Sequence, residues 1–410
     1  MPASLDLEFV RQQFPAFAEP TLRDQAFFEN AGGSYACRQV IDRLGEYYRR
    51  LKVQPYHGYP AAQEAGAWMD AAHVRLAEYL GVTADEVQFG PSTSQNTYVL
   101  AQAFRRQLQA GDEIVVTEQD HEANSGVWRR LAEDGIVVRE WRVDRDSGRL
   151  DPAALDALLG ARTKLVAFTH CSNLLGEINP VAEICAKVRA AGALSVVDGV
   201  SFAPHGLPDV AALGADIYLF SAYKTFGPHQ GVMVIRRPLL DTLGNEAHSF
   251  HAALPHRRFV PAGPDHAQVA AMCGVAEYFD ALDRHHGGGE DAGRAARVRE
   301  LLHANAAAIV QAILDRLAAH RDVRLLGPRD ATARTATIAF VPASRTPLEL
   351  VETLATQGVL IGSGHFYSVR LCKALGIETA RGVARISLAH YNTPAETERL
   401  LHALDRALAG

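Results

Sequence analysis

Between residues 113 and 236 the chain keeps alternating short apolar runs with helical or loop stretches, and this alternation restricts its fold more than any other feature. The runs 113–117 (EIVVT), 136–143 (IVVREWRV), 164–169 (KLVAFT), 194–198 (LSVVD), 216–220 (DIYLF) and 231–236 (GVMVIR) read as strands, with helical patterns at 180–191 and 208–213 between them. Strands apolar on both faces and separated by helices predict an α/β fold, with a mostly parallel sheet covered on both sides. In such sheets ligands bind at the carboxyl ends of the strands.

The 410 residues exceed what one ordinary core organises. At 285–291 the run HHGGGED breaks the pattern, because consecutive glycines cannot hold a helix cheaply. A long helical pattern follows at 293–319, then strand candidates at 322–326 and 335–341 and helices near 347–357 and 394–408. The expected division is an N-terminal segment 1–20 packing with the small domain, a large domain 21–284 and a smaller α+β domain 285–410.

Composition excludes several classes. A net charge of −6 gives no reason to expect nucleic acid or an anionic membrane as partner. The start MPASLDLEFV lacks the basic and apolar regions of a secretory signal, and no apolar run reaches membrane-spanning length. The five cysteines are scattered and never form a C-x-x-C pair, so neither a disulfide framework nor a metal site is expected. A cytoplasmic protein is the expectation. Neither G-x-G-x-x-G nor G-x-x-x-x-G-K-[ST] occurs, which argues against a nucleotide-binding protein.

The residues that carry chemistry stand at strand ends. Asp198 closes the run VVDG, and Ser221 and Lys224 follow the next strand in YLFSAYKTFGP. A carboxylate and a lysine at neighbouring strand ends are what pyridoxal phosphate needs. The lysine forms an imine with the aldehyde, and the carboxylate keeps the pyridine nitrogen protonated so that the ring acts as an electron sink. In FGPSTSQN (89–96), small hydroxyl residues open a helix, an arrangement that binds phosphate through backbone N–H groups and the helix dipole. His121 follows the strand 113–117 and suits stacking on a ring, and Asn173 in HCSNLLG suits hydrogen bonding to a phenolic oxygen.

With these elements in this chain order, the sequence resembles the class V aminotransferases, in their cysteine-desulfurase-like branch, among the fold-type I pyridoxal-phosphate enzymes. The resemblance runs from FFENAGG at 27–33 to SLAHYNTPAE at 387–396. It implies a large domain with a mostly parallel seven-stranded sheet flanked by helices, plus a smaller C-terminal α+β domain. It also implies a homodimer with shared active sites, acting on a small-molecule amino acid. By position, Lys224, Asp198 and His121 match the catalytic residues, with Asn173, Thr93, Ser94 and Ser221 as further cofactor contacts. Arg385 matches the arginine that takes the substrate carboxylate, for which a planar fork is suited. Asn30, His57, His365 and Tyr367 fall at the substrate side.

The chain also departs from the pattern. Ser201 stands where desulfurases have Gln, Tyr223 where they have His before the lysine, and Gly263-Pro264-Asp265 where they have G-T-P. The position of the sulfur-accepting cysteine, in GSGHFYSVRL, holds Tyr367, and a phenol cannot carry a persulfide. Cys372 lies in a helical pattern (LCKALG) and is read as buried. The resemblance without that cysteine implies a C–S lyase eliminating from Cβ of cysteine, cystine or an S-substituted cysteine. The alternatives are transamination or epimerisation of another amino acid, a desulfurase using a non-standard cysteine, or a cofactor-binding partner or sensor. The aromatic and histidine content of Tyr35, His57, Tyr223, His229, Phe366 and Tyr367 favours a substrate bulkier than cysteine, or one with an anionic or aromatic tail.

Overall fold

The computed structural model describes residues 5–289 and 292–409. Its strands in chain order are β1 (Ala26–Phe27), β2 (Val87–Gly90), β3 (Glu113–Thr117), β4 (Val137–Trp141), β5 (Thr163–Thr169), β6 (Leu194–Asp198), β7 (Ile217–Ser221), β8 (Gly231–Ile235), β9 (Val323–Leu326), β10 (Thr337–Pro342), β11 (Val359–Leu360), β12 (Gly362–Gly364) and β13 (Val383–Ser387).

Seven of these form one sheet in the order β2-β8-β7-β6-β5-β3-β4. The pairs from β7 to β4 are parallel, and β8 is antiparallel to both β7 and β2. The central strands are buried on both faces, as their unbroken apolar sequences require. Val115, Val166, Val197 and Phe220 pack on one side of the sheet, and Ile114, Leu165, Val196 and Leu219 on the other. Because β8 reverses direction twice over, β2 runs with β7. The carboxyl ends of β2, β3, β5, β6 and β7 therefore open on one edge.

A second, antiparallel sheet has the order β12-β13-β10-β9. The helix Arg294–Ala319 and the helices Pro347–Ala355 and Pro394–Leu408 contribute to the apolar cluster around it. Two of those helices begin with a capping box, Thr346 with Glu349 and Thr393 with Glu396. Each such cap is worth about 1 kcal/mol to a helix. The N-terminal helix Leu7–Gln12 is tied down by Arg11, which donates to the Tyr391 carbonyl and pairs with Glu396 at 3.0 Å.

Some sequence expectations are corrected in detail. The helical pattern at 208–213 is a single turn, Val210–Leu213, stopped by Gly214 at φ 68°. β1, β2 and β11 to β13 had no counterpart in the strand reading. Among the described residues no helix is long and apolar enough to cross a membrane.

Candidate active site

At the carboxyl edge of the large sheet lies a cavity of about 470 Å³. Its wall includes Thr93, Ser94, His121, Asn173, Asp198, Ser201, Ser221, Tyr223, Lys224 and Tyr367. Residues far apart in the chain converge here because each follows, or ends, a strand that finishes on this edge.

Lys224 closes a 3-10 turn, Ala222–Lys224, directly after β7. The turn is fixed by backbone bonds from Ala222 N–H to Gln230 and from Gly227 N–H to the Ala222 carbonyl. Burial pushes the Lys224 amine down to about 8, and the nearby Arg385 adds to this, while Asp198 and Glu29 pull the other way. A lysine of this kind is uncharged far more often near neutral pH than an ordinary lysine, which favours its use as a nucleophile or base.

Asp198 is buried at the end of β6 and accepts a hydrogen bond from the Val200 N–H at 2.9 Å. Burial pushes its carboxyl up to about 6, against the pull of Val200 and Lys224. A carboxylate raised by burial gains most from a cation placed beside it.

His121 caps the helix Glu122–Arg129 by accepting the Ala123 N–H on Nδ1 at 3.0 Å. That bond places the ring proton on Nε2. Burial, then the positive charges of Lys224 and Arg385, hold its pKa down at about 3, so the ring is neutral. Immediately before it, the buried Asp120 accepts from Thr117 Oγ1 and from Asn124 Nδ2 at 2.8 Å, which fixes the turn that presents His121.

The hydroxyl cluster is formed by the helix Thr93–Arg105, whose cap Ser92 accepts from the Gln95 N–H. Thr93 Oγ1 lies 2.8 Å from Ser221 Oγ, so the helix start and the end of β7 share one polar pocket. Gly231 permits this: a Cβ there would lie 2.5 Å from the Thr93 nitrogen. Tyr223 stacks on His229 with ring centres 4.7 Å apart, forming another part of the wall.

Asn173 follows β5 and holds the 365–368 segment. Its Nδ2 donates to the Phe366 carbonyl at 2.8 Å, and its Oδ1 accepts from Ser368 Oγ at 2.7 Å. Tyr367 leans over His121, ring centres 5.0 Å apart, and is 65% exposed.

Four expected substrate residues do not line the cavity. Arg385, on β13, is fully buried and pairs with Glu29 at 2.7 Å. Asn30 is held in a buried polar knot with the Ser387 carbonyl, Asn392 and the Tyr391 hydroxyl. His57 is exposed and stacks on Tyr59, because its segment precedes the helix Pro60–Leu80 away from the cavity. His365 accepts the Tyr367 N–H at 3.0 Å, which braces its own turn. Tyr35 packs against Phe17, Phe27 and Tyr391. The sequence reading missed Tyr98, Arg130 and Thr169 in the wall, and the carboxylate of Glu29 beside Arg385. Glu29 sits inside FFENAGG, but no local pattern revealed its partner on β13.

The donor set suits pyridoxal phosphate. It offers an amine of lowered pKa, a buried carboxylate, a flat neutral ring and hydroxyls at a helix start. Cys372 is buried in the helix Val369–Ala374, where burial pushes its thiol up to about 11, and no cysteine is among the residues of the cavity wall.

The family model for aminotransferase class V matches residues 26–400. The aminotransferase-like protein FGM3 of Gibberella zeae is 32% identical, with 99% of each chain covered. A cysteine desulfurase of Serratia proteamaculans is 31% identical over 98% of each chain. The apo structure of the cysteine desulfurase from Thermococcus onnurineus NA1 superposes with a TM-score of 0.85 at 24% identity, over 100% of both chains.

Proposed function

This chain belongs to the class V aminotransferases, an enzyme family dependent on pyridoxal phosphate, and on that footing we propose that it is a C–S lyase acting by β-elimination on cysteine, cystine or an S-substituted cysteine. The observation that carries this reading is the cavity wall, where Tyr367 stands and a thiol does not. A desulfurase needs a thiolate to take the sulfur. Cys372 is enclosed by protein and held in its thiol form.

Lys224 is the residue that would bear the cofactor, with Asp198 as the partner its pyridine nitrogen would need and His121 as the flat ring available to stack on it. Thr93, Ser94 and Ser221 would hold the phosphate, Asn173 would serve the phenolic oxygen, and Ser201 and Tyr223 would complete the enclosure. When bound, pyridoxal phosphate supplies the electron sink that makes bonds at the substrate Cα breakable. Arg385 receives the substrate carboxylate, with Asn30 bracing the adjoining turn. Lys224 Nζ then takes the α-proton as general base, which its lowered pKa permits. The Cβ–S bond breaks with its electron pair on sulfur, and water completes the balance to pyruvate, ammonia and the sulfur leaving group, which is sulfide from cysteine, a persulfide from cystine and a thiol from an S-substituted cysteine. Tyr367 and the neutral His121 would border the leaving group, with His365 bracing the turn that carries Tyr367.

The division at 20/21 and 284/285 belongs to the same proposal, as does a homodimer in which residues 251–266 reach the partner's site. The 74% exposure of Phe250, next to that segment, supports a covered face there.

Product analysis tests the reaction. Incubation of the holoenzyme with cysteine, cystine and S-methylcysteine should release pyruvate and ammonia in equal amounts. Alanine with protein-bound persulfide would instead identify a desulfurase, and a keto acid retaining the side chain would identify transamination.

A further inference from the structure

Arg385 lies behind the cavity wall with two of its nitrogens already engaged. Nη2 donates to Glu29 Oε1 at 2.7 Å, and Nη1 donates to the Asn173 carbonyl at 3.0 Å. The Phe366 ring covers the guanidinium face, with its centre 3.6 Å from Cζ. Two atoms of this pair, Arg385 Nε and Glu29 Oε2, are buried without a hydrogen-bond partner among the described residues. The Glu29 carboxylate is set in a slot between two glycines. A Cβ at Gly32 would lie 2.7 Å from Oε1, and one at Gly362 would lie 2.7 Å from Oε2. The covering segment is held on both sides: Asn173 binds Phe366 and Ser368, and the Glu122 N–H donates to the Tyr367 carbonyl at 2.9 Å. Phe366 and Tyr367 adopt φ of 47° and 60°, a conformation that side chains rarely take and that the surrounding contacts must maintain.

A buried guanidinium needs an anionic partner. Arg385 has one, with a half-satisfied fork and an aromatic cover. We infer that Glu29 is an internal competitor for Arg385, so that a substrate carboxylate binds by taking guanidinium donors from Glu29 as Phe366 leaves the face. The inference rests on the reading of Arg385 as the carboxylate receptor. It makes Glu29 and Phe366 determinants of which carboxylates bind: a ligand must outbid a carboxylate already in place and displace the cover.

The test is propionate binding to the holoenzyme, measured by calorimetry, which needs no turnover. Glu29→Gln keeps the shape and removes the charge, and should tighten propionate binding about tenfold, the scale of a modest relief from a competing state. Phe366→Ala should tighten it several-fold, and carries the test alone if Glu29→Gln does not fold. Arg385→Met should lose propionate binding. Loss in Arg385→Met together with unchanged or weaker binding in the foldable Glu29→Gln and Phe366→Ala variants would overturn the competitor role and leave the receptor intact. Wild-type binding in Arg385→Met would remove the receptor reading, and this inference with it.

Discussion

Thr93 Oγ1 and Ser221 Oγ stand 2.8 Å apart, joining the start of a helix to the end of β7 although 128 positions separate them in the chain. The two hydroxyls share one hydrogen bond and, on the present reading, one phosphate. Thr93→Val and Ser221→Ala should each weaken cofactor binding about tenfold, the worth of one hydrogen bond to a charged group. Because the hydroxyls are coupled, the double variant should lose less than the product of the single losses. Absorbance titration of apoprotein with pyridoxal phosphate measures all three, and strict additivity would separate the two groups.

Lys224 should set a pH dependence. Its amine is lowered to about 8, chiefly by burial and then by Arg385. Only the uncharged amine captures the cofactor aldehyde, so the capture rate should climb as pH rises and level off above about pH 8. Removing the Arg385 charge takes away a depressing influence, so Arg385→Met should move the midpoint upward. A midpoint that stays put would show that Arg385 does not act on Lys224. Lys224→Ala should abolish turnover, and an active variant would dispose of the mechanism.

Cys372 provides a test by omission. It is buried in a short helix, its thiol pushed up to about 11 by its surroundings. Cys372→Ala should keep turnover within about twofold while costing on the order of 1 kcal/mol from lost packing. A loss of activity beyond a hundredfold in a folded variant would make Cys372 the sulfur acceptor.

How much of this site could be read in the sequence follows from where the information is local. β3 to β8 were legible because strands buried on both faces must be apolar without interruption, as in KLVAFT and LSVVD. Asp198, Lys224 and His121 were legible because they stand at or just after such strands, where an α/β sheet places its ligands. β12, with the sequence GSG, has no side-chain pattern to read, and its pairing with β13 depends on register across the small sheet. The Glu29–Arg385 pair escaped for the same reason: β13 brings together residues from opposite ends of the chain. His57 was placed by resemblance alone, and nothing in the geometry of one protomer brings it to the cavity.

His121 has two tasks that can be separated. Its ring lines the cavity, while Nδ1 caps a helix by accepting the Ala123 N–H. His121→Asn retains a capping acceptor and loses the ring, so it should weaken cofactor binding while leaving the melting temperature of the apoprotein nearly unchanged. His121→Phe keeps a flat ring and loses the cap, so it should bind the cofactor better than the Asn variant but melt earlier, by the roughly 1 kcal/mol of a lost cap. Equal melting of the two variants would show that the cap contributes nothing.

Asp198 should show opposite effects on stability and on function. Burial raises its carboxyl to about 6 from an ordinary value of 3.8. The folded apoprotein therefore holds that proton more tightly than the unfolded chain does. As pH rises from about 4 to 6 the unfolded chain ionises first, so this group's contribution moves against folding, and the penalty persists above pH 6. Asp198→Asn removes the charge, so the apoprotein variant should melt higher than wild type above pH 6, with the difference vanishing near pH 4. The cofactor reverses the sign, because its protonated ring nitrogen needs the ionised carboxylate. Asp198→Asn should therefore gain less stability than wild type on adding pyridoxal phosphate and should lose most turnover. Melting curves with and without cofactor at pH 4.5 and 7.5 decide this. A variant less stable than wild type in the apo form at pH 7.5 would mean that the buried carboxylate is already compensated by its protein surroundings, and that Asp198 is there for the fold before it is there for the cofactor.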